Sequence, residues 1–137
     1  MRMWIRMASV AGALYFVTGY VFAALDNTTD EQLRFRLRLA AWILSGVVYA
    51  VHIWYERLRL RNSAGPTAFH VAIGVAFGAF LLAVAATIHN MFVPSPAPYW
   101  RFLLALVIWP LVTAVPAFIV AFGLAAMLSL ISVKRLV

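Results

Sequence analysis

Six polar side chains set into an apolar stretch are the residues whose types and spacing could do chemistry here: Arg38, Ser45, Tyr49, His52, Glu56 and Arg59. Their steps of seven, four, three, four and three place all six on one face of an α-helix. Ionisable groups at membrane depth are costly and face a partner, a cavity or a pathway. His52 and Glu56 stand four residues apart, so the carboxylate can orient or charge the imidazole. With Ser45 and Tyr49 they would wall a polar path or a small-molecule site near one leaflet, Glu56 lying near the membrane edge. The competing reading is a packing seam. In that case Tyr49 and His52 bond to neighbouring helices, while Arg38 and Arg59 reach toward head groups.

Histidine suggests a different chemistry. His52 and His70 fall toward the same ends of adjacent apolar segments, and facing imidazoles can hold a haem iron. Haem b is therefore the alternative cofactor; the first reading expects none. His89 sits at the other end of its segment and cannot join them. No carboxylate accompanies His70 in the sequence, so no metal site is expected. Cysteine is absent, which excludes disulfides, thiolate catalysis, iron–sulfur clusters and cysteine-bound zinc. No phosphate-binding glycine loop and no nucleophile with a base partner is visible, so an enzyme is the less favoured class.

The elements that position these groups follow from composition. The 137 residues are 66% hydrophobic and only 11% charged, more apolar than a core of this size can bury. The solvent must be lipid. A net charge of +7 could suggest nucleic acid, but the cations sit at the ends of apolar segments, where they anchor and orient spans. No nucleic-acid partner is expected.

Four apolar segments cover 3–25, 39–55, 67–89 and 102–133 within a single membrane domain spanning 1–137. The first three match the roughly 17–25 residues that cross a bilayer. The fourth is too long for one perpendicular span and too short for two. It carries Pro110 and Pro116, so a tilted or kinked helix is expected, with Thr113 satisfying the freed carbonyls. The opening segment also resembles a secretory signal, but its apolar run is longer than a signal core and reads as a retained span. Thr28, with Glu31 three residues on, fits a capping box for helix two, and Pro66 suits the first turn of helix three. The stretch from Val93 to Pro98 reads as a stiff connector. Short connectors make consecutive helices antiparallel neighbours.

Gly74 and Gly78 form a small-residue face on the third segment, and Ala8 and Gly12 repeat that spacing on the first. A second row on the third segment runs Ala72, Ala76, Ala79, Ala83 and Ala86. Gly12, Gly74 and Gly78 are thus expected packing sites, against helices of this chain or another subunit.

Orientation follows from the cations. Arg2, Arg6, Arg57, Arg59, Arg61, Lys134 and Arg135 fall on the side of the termini, seven in all, against Arg34, Arg36, Arg38 and Arg101, four in all. That bias places both termini in the cytoplasm, in an inner (plasma) membrane of bacterial type. All four acids lie away from the bilayer midplane, so proton exchange through a midplane carboxylate has no candidate.

The expected protein is an all-α, four-transmembrane-helix bundle, N-in/C-in. Its expected role is that of a non-enzymatic subunit of a homo-oligomer or larger membrane complex, with a part in solute, ion or lipid passage. The alternative is a haem-holding redox subunit using His52 and His70. The expected partners are the lipid bilayer and further membrane subunits, identical or different.

Overall fold

The computed structural model describes residues 3–26, 29–93 and 98–134. They form four helices: α1 (Met3–Leu25), α2 (Glu31–Leu58), α3 (Ala64–Phe92) and α4 (Tyr99–Lys134). Each is long and apolar enough to cross a membrane. Large apolar side chains cover the outside, among them Trp42 at 79% exposure and Ile119 at 63%. In water such a surface would aggregate; against lipid tails it is the expected solvent face.

The helix bounds exceed the apolar segments in a regular way. α1 coincides with its segment, whereas α2 extends eight residues before residue 39 and three past residue 55. At 1.5 Å per residue, 28 residues make a rod of about 42 Å, longer than a hydrocarbon core of roughly 30 Å. Its polar first turns therefore project beyond the apolar layer. Asp30 caps them: its carboxylate accepts from the backbone N–H of Gln32 at 2.9 Å and of Leu33 at 3.3 Å. This corrects the expected capping box. The helix starts at Glu31, which is therefore the first helical residue rather than the third, and Thr28 lies outside the described residues.

α3 begins after Ser63, with Pro66 in its first turn, where a missing N–H costs nothing. α4 runs unbroken through Pro110 and Pro116 for 36 residues. The Thr113 hydroxyl donates to the carbonyls of Trp109 at 2.9 Å and Pro110 at 3.1 Å. Those differ from the carbonyls of Leu106 and Val112, which lose an N–H partner to the prolines. The connector at 94–97 lies outside the described residues.

α3 is the central helix. It packs on all three others, most extensively on α4 and then α1, whereas α1 and α4 do not pack on each other. Ala8 meets Gly74, Gly12 meets Phe77, Tyr15 meets Gly78 and Gly19 meets Leu82, so α1 and α3 run parallel at glycine-limited distance. Arg38 bonds back to Asp26 beyond the end of α1, which sets α2 antiparallel to α1. The start of α1 and the end of α4 therefore lie at the same end of the bundle. A small core of Ile53, Ala68, Val71 and Ala121, with Tyr49 packed against it, joins α2, α3 and α4 there.

Candidate functional site

The polar stripe does not form one continuous site. Along its 28 residues α2 buries only His52, Ile53 and Glu56. Elsewhere it is tethered at points. One is the 2.7 Å ion pair from Arg38 to Asp26. Another is the Tyr49 hydroxyl, which donates to the Ala117 carbonyl of α4. Between those tethers α2 stands off, and a cleft of about 470 Å³ opens among the four helices. Ser45, Gly46 and Tyr49 line it from α2, Tyr15 and Thr18 from α1, Ala79 from α3, and Thr113 and Ala117 from α4. The lining is mostly apolar, relieved by hydroxyls. The Tyr15 hydroxyl is buried without a hydrogen-bond partner.

The second half of the stripe lies deeper. His52 is 1% exposed and Glu56 is fully buried. Glu56 lies two residues before the end of α2, and its burial comes from lateral cover by the α2–α3 turn and by His70. Glu56 Oε2 lies 2.9 Å from His70 Nδ1 and accepts from the Asn62 side-chain amide at 2.5 Å. His52 Nε2 stands 3.9 Å from the other carboxylate oxygen, Oε1. The expectation that no carboxylate accompanies His70 is therefore corrected: the partner comes from another helix, fourteen residues away in the chain.

Local structure explains the convergence. α2 ends on tight bonds from the N–H of Leu60 to the Tyr55 carbonyl and from the N–H of Asn62 to the Glu56 carbonyl. Arg61 takes the left-handed conformation, with φ of 52°. That reversal folds Asn62 back over Glu56, and the Arg57 guanidinium holds the Asn62 carbonyl at 2.5 Å. On α3, Gly74 lets the His52 ring sit against the backbone; a Cβ there would be 3.1 Å from His52 Cε1. From α1, Trp4 stacks flat on His70, with 4.3 Å between ring centroids and 4° between planes.

His52 and His70 are thus brought together, but around a carboxylate. A haem held between them would need both rings to face open space. Instead His70 is engaged at Nδ1 and covered by Trp4, and His52 is enclosed by Glu56 and Gly74; these residues do not fit the group. Among the described residues no three His, Cys, Asp or Glu side chains are arranged to hold a metal ion. His89 lies at the far end of α3, facing Phe16 and Tyr20 of α1 across a separate surface hollow. Gly12, Gly74 and Gly78 all lie at the α1–α3 contact, within this chain.

Sequence reasoning missed Asn62, Trp4, Thr67 and Tyr15. Thr67 is fully buried beside this core and its hydroxyl lacks a partner. Only the Asn62 turn carried a signal, as a polar residue closing a short reversal before Pro66. No family model matches the chain, and no curated protein or solved structure matches it.

Proposed function

We propose that this chain is a non-enzymatic membrane protein that holds the apolar portion of a lipid-like molecule in the cleft between α2 and α4. The observation that carries this reading is the tethering of α2 at separated points, which leaves a recess of about 470 Å³ among the four apolar helices. That volume falls within the roughly 300–1,000 Å³ typical of small-molecule sites. The lining suits an amphiphile. Apolar walls take a chain, while Ser45, Tyr15 and Thr113 offer hydroxyls to an ester, carbonyl or hydroxyl group. Gly46 supports it further, since nothing lies within 4 Å of the position a Cβ would take. The surrounding bilayer supplies such a molecule directly.

In this reading the termini face the cytoplasm, because the end that carries Arg57, Arg59 and Arg61 is also the end of the N-terminal cations. Association with further subunits would use the exposed lipid-facing rows of α4, leaving the cleft accessible.

The test is extraction of the full chain into nanodiscs, followed by native mass spectrometry and lipid analysis. One retained lipid-like molecule per chain is expected, and its loss in Gly46→Trp, where an indole fills the recess. A cleft occupied by a second copy would overturn the reading; a Trp42→Cys variant cross-linking to itself in membranes would show that. Single cysteines placed at Asp26 and Asn62 in this cysteine-free chain report sidedness by labelling from either face.

A further inference from the structure

We propose that His52, Glu56 and His70 bind a proton inside the bundle and share it through the Glu56 carboxylate. This goes beyond the cleft reading and does not depend on it.

The argument starts from charge. Glu56 is fully buried, and among the described residues no Arg or Lys forms an ion pair with it. The guanidinium of the adjacent Arg57 bonds to the Asn62 carbonyl instead. An uncompensated carboxylate in this setting would cost several kcal/mol, so the cluster must carry a proton, on the carboxyl or on an imidazole. Among the described residues three groups stand in series to hold it. His70 Nδ1 is at hydrogen-bond distance from one carboxylate oxygen, 2.9 Å, while His52 Nε2 stands 3.9 Å from the other, and neither of those last two atoms has another partner.

Among the described residues no further titratable side chain bonds to the array. α1 contributes the Trp4 indole; its Arg6 is exposed, and its Tyr15 lies a level away, beside Tyr49. α2 contributes His52, Glu56 and the half-buried Arg57, whose guanidinium is bonded to the Asn62 carbonyl, and α3 contributes His70. α4 presents alanines at this level, Ala121 and Ala125, and its Tyr99 and Arg101 are at the opposite end. The charged groups that act on His52 are Glu56 and His70.

The transfer balances without any co-reactant. The Nδ1–H bond of a charged His70 breaks as an O–H bond forms on Glu56 Oε2, leaving a neutral imidazole beside a neutral acid. Rotation of the carboxyl group presents that proton at the opposite side, and His52 Nε2 accepts it, so that Glu56 returns to carboxylate and His52 carries the charge. Exposure sets the direction of loading. The His70 side chain is 13% exposed, whereas His52 and Glu56 are sealed, so the proton arrives at His70 from the end of the bundle that Trp4 covers.

Imidazole nitrogen resonances of the full chain in nanodiscs test this, read across the pH range in which helicity is unchanged. Sharing predicts that His52 and His70 respond at one common midpoint with a total uptake of one proton. In Glu56→Gln the two rings should separate, their midpoints moving apart by about one pH unit or more. Trp4 fluorescence is a second readout, because a charged ring stacked on the indole quenches it. The difference in emission between wild type and Trp4→Phe should follow the same midpoint. Independent titration of the two histidines in the wild type would overturn the proposal, as would two rings that both stay neutral throughout. If Glu56→Gln does not fold, the wild-type midpoints and the Trp4 signal decide alone.

Discussion

Gly78 of α3 sits directly on Tyr15 of α1: a methyl group added at Gly78 would come within 2.6 Å of the Tyr15 Cβ and 2.8 Å of the Gly12 carbonyl oxygen. Neither neighbour can give way cheaply, because one is a side-chain root and the other is backbone. Between helices in lipid, where no hydrophobic force draws them together, such close approach is what supplies van der Waals attraction.

Gly78→Leu should therefore force α1 and α3 apart, at a cost of about 1–3 kcal/mol typical of overpacking. Equilibrium unfolding in mixed micelles measures it. Gly123→Ala is the internal control, since nothing lies within 4 Å of that added carbon, and its unfolding midpoint should be no lower than that of the wild type. Equal behaviour of the two variants would show that the α1–α3 contact carries no stability.

Glu56 accepts from Asn62 Nδ2 and shares a hydrogen bond with His70 Nδ1, two part-buried partners on different segments. Glu56→Ala strips both of their partner at once, and breaking a buried charged pair typically costs about 3–5 kcal/mol. Glu56→Gln preserves one acceptor oxygen and should lose distinctly less. Thermal unfolding followed by helicity checks the ranking. An alanine variant as stable as the glutamine variant would mean that the cluster does not hold α2 to α3.

The N-terminus of α2 makes a smaller demand. Asp30→Ala removes the oxygen that bonds the N–H groups of Gln32 and Leu33, and such caps contribute about 1 kcal/mol. Amide exchange should quicken in the first turn after Asp30 and remain unchanged from Tyr49 onward. Faster exchange throughout α2 would show that this cap governs the whole helix.

What could be read from the sequence divides along physical lines. Hydropathy responds to the solvent around a segment, so α1, apolar to both ends, was bounded correctly. α2 was foreshortened because its turns beyond the apolar layer are polar yet still helical. Pairs within one helix are equally legible: His52 and Glu56 share a face by spacing alone. His70 joins them through the reversal between α2 and α3, and Trp4 only through the parallel packing of α1 on α3, which depends on where glycines permit contact. A spacing rule has no access to that. The cap shows the same limit on a smaller scale, since Thr28 and Asp30 both suit the role and two residues of register separate them.

Tyr49 stands between the two halves of the stripe, and its hydroxyl is the side-chain hydrogen bond from α2 to α4. Above it the helices diverge around the cleft; below it lie Ile53 and Ala121 in the core. Tyr49→Phe keeps the ring and deletes the bond, a loss of about 1 kcal/mol. A change that size should leave the bundle folded while freeing the outer part of α2 from α4, leaving it held by its packing on α1 and by the exposed Arg38–Asp26 pair. Spin labels at Ile43 and Ile108, both turned outward, report the separation across the cleft. The wild type should give one narrow distance distribution, and Tyr49→Phe a broader one extending to longer distances. An unchanged distribution would locate the clamp in the Ile53–Ala121 packing instead of in the hydroxyl.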